Sequence, residues 1–142
     1  MISRPLHFKA YELCDPATYE IYGEQALQFF RPEALQMLDQ LSAFFQVPIL
    51  INNWKSGGPF QWRGLRTIEC TQGSARGAHR LGAGWDFNVQ GKTPQEVYDT
   101  ILANPDEFPA IKRMENIEKT PTWTHCDTIE FDGGGILIVE PA

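Results

Sequence analysis

Apolar positions along the chain recur at two periods, one helical and one alternating, and their order predicts the elements. Leu35, Leu38, Leu41, Phe44 and Phe45 lie three or four residues apart between Arg31 and Gln46. That spacing makes one apolar helical stripe, and Pro32 suits the first helical position. Asp15-Pro16 marks an earlier helix start, running to about Gly23. Thr93-Pro94, with Glu96 placed to complete a capping box, starts another helix that reaches about Ala103. Short apolar or alternating runs predict strands at Pro48 to Asn52, Trp85 to Val89, Ile111 to Glu118, Trp123 to Phe131 and Ile136 to Val139. Ile111 to Glu118 and Trp123 to Phe131 read as a hairpin around Lys119-Thr120-Pro121-Thr122. Asn104 to Pro109 and Gly133 to Gly135 are turns. The pattern is α+β: a small, mostly antiparallel sheet with flanking helices.

The stretch Asn53 to Arg80 breaks both periods. It is polar and punctuated by Gly57, Gly58, Pro59, Gly64, Gly73 and Gly77. A structureless run of that length inside a domain is usually functional. At 142 residues, with no repeat or low-complexity linker, positions 1–142 read as one domain, expected to be a monomer. The net charge of -6 argues against nucleic acid as a partner, which needs a basic face, and gives no sign of an anionic membrane surface. Met1 to Ala10 lacks the apolar core of a signal peptide, so a cytoplasmic location is expected. Cys14, Cys70 and Cys126 are odd in number and lack a CxxC spacing, which fits free thiols in a reducing compartment.

Candidate chemistry concentrates in two segments, Ala78 to Phe87 and Trp123 to Asp127. The chain has only three histidines, and two of them, His79 and His125, stand there with Asp86. Two imidazoles and a carboxylate leave zinc a fourth position for water, which separates a catalytic site from a structural one. His79 falls on a loop and Asp86 on the following strand. Gly82 and Gly84 let the chain turn back between them. Taken alone, one His near one Asp is the pattern of a surface pair or a buried hydrogen bond. Such ligands also suit several divalent ions besides zinc. Asp127 lies two residues past His125 on the same strand face, where it could orient that imidazole or pair with a surface cation. Ser74 has no Gly-x-Ser-x-Gly elbow around it, and no phosphate-binding loop motif is present. Trp54, Trp62, Trp85 and Trp123 either wall a cleft or pack in the core.

The segments His79-Arg80-Leu81-Gly82-Ala83-Gly84-Trp85-Asp86-Phe87 and Trp123-Thr124-His125-Cys126-Asp127 together resemble the zinc D-alanyl-D-alanine carboxypeptidase and phage endolysin family. That family belongs with the lysostaphin-like and hedgehog-like zinc folds. Upstream, Ile51 to Gly58 and Arg63-Gly64-Leu65-Arg66-Thr67 look like the element that precedes its first ligand, so the likeness runs from about Pro48 to Ile129. It implies a hedgehog/DD-peptidase-like fold with His79, Asp86 and His125 as Zn²⁺ ligands. Arg66 would hold a carboxylate or carbonyl of the substrate, and Gln61 and Arg63 could serve the same end. Some members place a catalytic Glu three residues before the last His. Thr122 occupies that position here, so Glu118 is the expected base, brought opposite Trp123 by a tight hairpin, with Glu115 as second choice. The implied activity is hydrolysis of peptide bonds in peptidoglycan stem peptides, with the protein reaching the wall on phage lysis. The alternative is a zinc-binding but non-catalytic wall-binding or virion module. A zinc amidohydrolase acting on a small molecule stands behind both.

Overall fold

The carboxylate of Asp15 accepts the Thr18 amide at 3.1 Å and the Thr18 hydroxyl at 2.6 Å, which starts helix α1 (Pro16–Tyr22). Pro16 stands at a position that needs no amide donor. The chain then tightens into a 3-10 helix, Gly23–Phe29, which the sequence periodicity does not reveal. Helix α2 (Pro32–Phe45) buries Ala34, Leu35, Met37, Leu38, Leu41 and Phe45, and ends at Gln46 in the left-handed conformation. Phe44, part of the stripe by its spacing, instead sits at the rim of the core. Helix α3 (Pro94–Ala103) has the reciprocal capping box, with bonds of 3.1 and 3.0 Å between Thr93 and Glu96, and buries Val97 and Ile101. This computed structural model describes residues 4–74 and 76–141. Residues 1–3 of the segment scanned for a signal peptide lie outside them. No helix among the described residues is long and apolar enough to cross a membrane.

Strands β1 (Ile49–Leu50), β2 (Gly84–Val89), β3 (Arg113–Glu115), β4 (Thr124–Asp127) and β5 (Leu137–Val139) form one sheet in the order β1-β2-β4-β3-β5. Three pairings are antiparallel, and β5 runs parallel to β3. The fold is therefore α+β with a mixed, mostly antiparallel sheet.

Four of the five predicted strands come out shorter: Trp123 to Phe131 pairs only over Thr124–Asp127 and Ile136 to Val139 over Leu137–Val139, and the other two end for local reasons. Asn52 leaves the ladder because its amide bonds to the Glu12 carbonyl and its side chain to the Cys14 carbonyl and the Arg63 amide. The strand expected over Ile111 to Glu118 stops at Glu115. The Asn116 amide makes the last ladder bond, to the Val139 carbonyl, and its side-chain oxygen then takes the Glu118 amide, a local turn that competes with further pairing. The connection to β4 is thus a run of turns from Asn116 to Trp123, not the tight hairpin around Lys119 to Thr122.

The pleat sorts the residues of the sheet onto two faces. Trp85 and Phe87 of β2, Met114 of β3 and Cys126 of β4 are completely buried in the core. Trp85 donates its indole N–H to the Ala34 carbonyl at 2.8 Å and stacks on Phe30 with ring centroids 4.9 Å apart. These anchors fix β2 against α2, and the alternate residues, Asp86 first, necessarily face the other way.

Candidate metal centre

On that second face the sheet register builds a transverse row. Asp86 of β2 pairs with His125 of β4. The β3–β4 register, Arg113 with Asp127 and Met114 with Cys126, carries on to set Glu115 beside His125. Val139 of β5 follows Glu115. One step along, Gly84, Asp127 and Arg113 form a second row. Gly84 is needed for the close fit, since a Cβ there would stand 2.7 Å from that of Asp127.

His79 completes the group from a loop. Gly82, at φ 63°, turns the chain back toward β2 against the Phe29 carbonyl, which a Cβ would strike. The result brings His79 Nε2 to 3.2 Å and His125 Nδ1 to 2.8 Å from Asp86 Oδ1. All three side chains are buried, and one donor atom from each lies within 4.8 Å of the others. Donors about 2 Å from a tetrahedral ion stand a little over 3 Å apart, so this group could hold a metal ion.

The atoms that face away from the ion's position are also engaged. His79 Nδ1 is 2.8 Å from the Gly64 carbonyl, which assigns it the proton and leaves Nε2 as donor to a metal. His125 uses the opposite nitrogen: Nε2 lies 2.8 Å from Asp127 Oδ2, leaving Nδ1 to face the site. Asp127 is held by Arg113 through bonds of 2.9 and 3.0 Å and by the Ile129 amide. Asp86 Oδ2 takes Arg66 Nη2 at 3.2 Å, and Arg66 Nε is tied to the Trp62 carbonyl at 2.9 Å. Every candidate ligand is therefore oriented by a partner, the support a metal site requires.

The charges follow. Burial alone would raise the Asp86 carboxyl, but the two imidazoles outweigh it and hold the group far below the usual carboxylate range. Burial opposes protonation of His125, yet its bonds to Asp127 and Asp86 prevail and raise it to about 10. In the metal-free protein His125 is an imidazolium between two carboxylates. Asp127 is held low against burial by His125 and Arg113. Glu115 is raised chiefly by burial, with His125 opposing; its Oε1 lies 3.8 Å from His125 Nδ1.

A cavity of about 220 Å³ opens over the group, lined among others by Arg66, His79, Asp86, Glu115, Trp123 and His125. The residues singled out from sequence divide accordingly. His79, Asp86, His125, Asp127 and Arg66 converge. Gln61 and Arg63 lie in an adjoining cavity of about 350 Å³ that also reaches Arg66 and Asp86. There Arg63 is largely committed, bonding Asn88 at 2.6 Å and covering the Phe60 ring.

Glu118, expected from the sequence as the base, lies apart from the group. It is exposed on the turn that Asn116 creates, and it lies outside the cavity lining, which Glu115 joins instead. Sequence reasoning missed Arg113 and the Gly64 carbonyl and ranked Glu115 second. One signal was available: Arg113-x-Glu115 is charge-complementary to His125-x-Asp127 when the two segments run antiparallel. Comparison of the chain with protein-family models, curated proteins and solved structures finds no match to any of them.

Proposed function

We propose that this chain is a zinc-dependent peptidase acting on the stem peptides of peptidoglycan, with a hedgehog/DD-peptidase-like fold. The observation that carries the proposal is the row of Asp86, His125 and Glu115 facing His79 across one small cavity. Three ligands leave an ion one open position, and an unligated carboxylate stands beside it. The substrate class is supported by the motif likeness in His79 to Phe87 and Trp123 to Asp127.

When bound, the ion would acidify a water toward about neutral pH and polarise the scissile carbonyl. Glu115 accepts the proton of the attacking water, the C–O bond forms as the C–N bond breaks, and Glu115 returns the proton to the leaving amine. Arg66 holds a carbonyl or carboxylate of the substrate with the Nη1 that its bonds to Trp62 and Asp86 leave over. The protein acts on the wall after lysis releases it.

The test is digestion of purified peptidoglycan by zinc-loaded protein, with the products read by mass spectrometry. Glu115→Gln is expected to lower the rate at least about 100-fold with zinc still bound, and Glu118→Gln to leave it unchanged. Full activity of Glu115→Gln, or of protein stripped of metal, would overturn the mechanism. A second function, a zinc-holding wall or virion module without catalysis, is favoured by Thr122, exposed where some resembling enzymes carry their base. Zinc binding without hydrolysis of any peptidoglycan type would favour it.

A further inference from the structure

Arg80, next to a metal ligand, spends its guanidinium on backbone. Nε donates to the Ser74 carbonyl at 3.1 Å, and Nη2 to those of Cys70 and Gln72 at 2.7 and 3.1 Å. Nη1 donates to the Thr67 carbonyl. Four carbonyls from the eight residues 67–74 thus converge on one cation. The segment has no helix or strand of its own, and little of its backbone is bonded internally. Without the guanidinium, those carbonyl dipoles would face one another, and the conformation would lose what holds it.

The segment forms a wall shared by the cavities around the metal group. Gly73 and Ser74 line the metal cavity. Thr67, Ile68 and Gly73 line a larger one of about 820 Å³, and Gln72 reaches the third. Arg66 lines all three. Gly73, at φ 73°, lies so close to Arg66 that a Cβ would stand 2.7 Å from Nη1. The position of the segment therefore sets how Arg66 can lie.

We propose that Arg80 is a positioning residue: by gathering the carbonyls of residues 67–74 it fixes the wall against which Arg66 is aimed at the substrate. It does not hold the ion. The His79 ring is held by the Gly64 carbonyl, which lies outside residues 67–74, and Asp86 and His125 are held by the sheet. The effect on substrate rests on the peptidase function proposed above; the ordering of the segment does not.

The first measurement is hydrogen exchange by mass spectrometry over residues 67–74, with zinc affinity measured alongside. Arg80→Gln is expected to speed exchange there about tenfold or more and to leave the zinc Kd within about threefold. Arg80→Lys keeps the charge and stem but lacks the planar fork, so it is expected to fail to restore protection. It also serves as the folded comparison should the Gln variant be unstable. Exchange unchanged in both variants, or zinc affinity falling in step with loss of protection, would overturn the proposal. On a cleaved peptide, KM is expected to rise about tenfold with kcat little changed. A wild-type protein that cleaves nothing would count against the peptidase function and leave the exchange result to decide for Arg80.

Discussion

His125 is the residue on which the centre turns. It meets a carboxylate at each nitrogen, Asp86 at Nδ1 and Asp127 at Nε2, both at 2.8 Å. Only Asp127 keeps its bond once an ion takes Nδ1, so Asp127 selects the tautomer. Asp127→Asn is expected to weaken zinc affinity about 10- to 100-fold without removing a ligand, as measured by competition with a chelator. An unchanged affinity would remove Asp127 from that role. The pH dependence follows from the same contacts. In metal-free protein His125 rises from 6.5 to about 10, so its contribution to stability is complete below pH 6.5 and is lost as pH climbs through about 10. Asp86 and Asp127 are depressed, so theirs is present above about pH 3.8 and lost as pH falls below it. Denaturant midpoints of metal-free protein are expected to decline from pH 7 to 10. Zinc should reduce that decline, because binding displaces the Nδ1 proton. Calorimetry in buffers of different ionisation enthalpy should accordingly show protons released on zinc binding, and more of them at pH 7 than at pH 10.

At the scale of elements, the helices and the candidate pair His79 and Asp86 were legible in sequence because their signals are local, whereas His125 entered only through the distant segment Trp123 to Asp127. A Pro after a capping Asp or Thr, a stripe of Leu and Phe, and a His and an Asp separated by glycines each need only neighbouring residues. Register was not legible, because it depends on where a strand ends. Asn116 ends β3 with its own side chain, so the strand loses the three residues that would have carried Glu118 onward. Residues 115 and 118 also differ by an odd number, so a straight strand could never have shown both on one face. The parallel docking of β5 beside β3 was hidden for a similar reason: the Gly133–Gly135 turn says that the chain reverses, but not which strand it meets. The turn at Gly82 offers a test at this scale. Gly82→Ala must take a positive φ and press on the Phe29 carbonyl. It is expected to cost about 1–3 kcal/mol in chemical unfolding and to weaken zinc binding with it. A stable variant with normal zinc affinity would show that the loop can turn another way.

Across the whole molecule, the three putting their donors together come from unlike neighbourhoods. Asp86 and His125 stand on adjacent strands, backed by Trp85 and Cys126 in the core, while His79 hangs from a long loop with little regular structure. An ion held by all three would act as a clasp between loop and sheet, present in the native chain and absent from the unfolded one. At a free concentration about 100-fold above Kd, such a clasp adds about 2.7 kcal/mol, on the order of 10 °C in melting temperature for a chain of this size. A zinc titration followed by thermal melting is expected to show that rise, and to lose it in His79→Ala. The lifetime of this protein would then follow the zinc supply around it, whether or not any substrate is present.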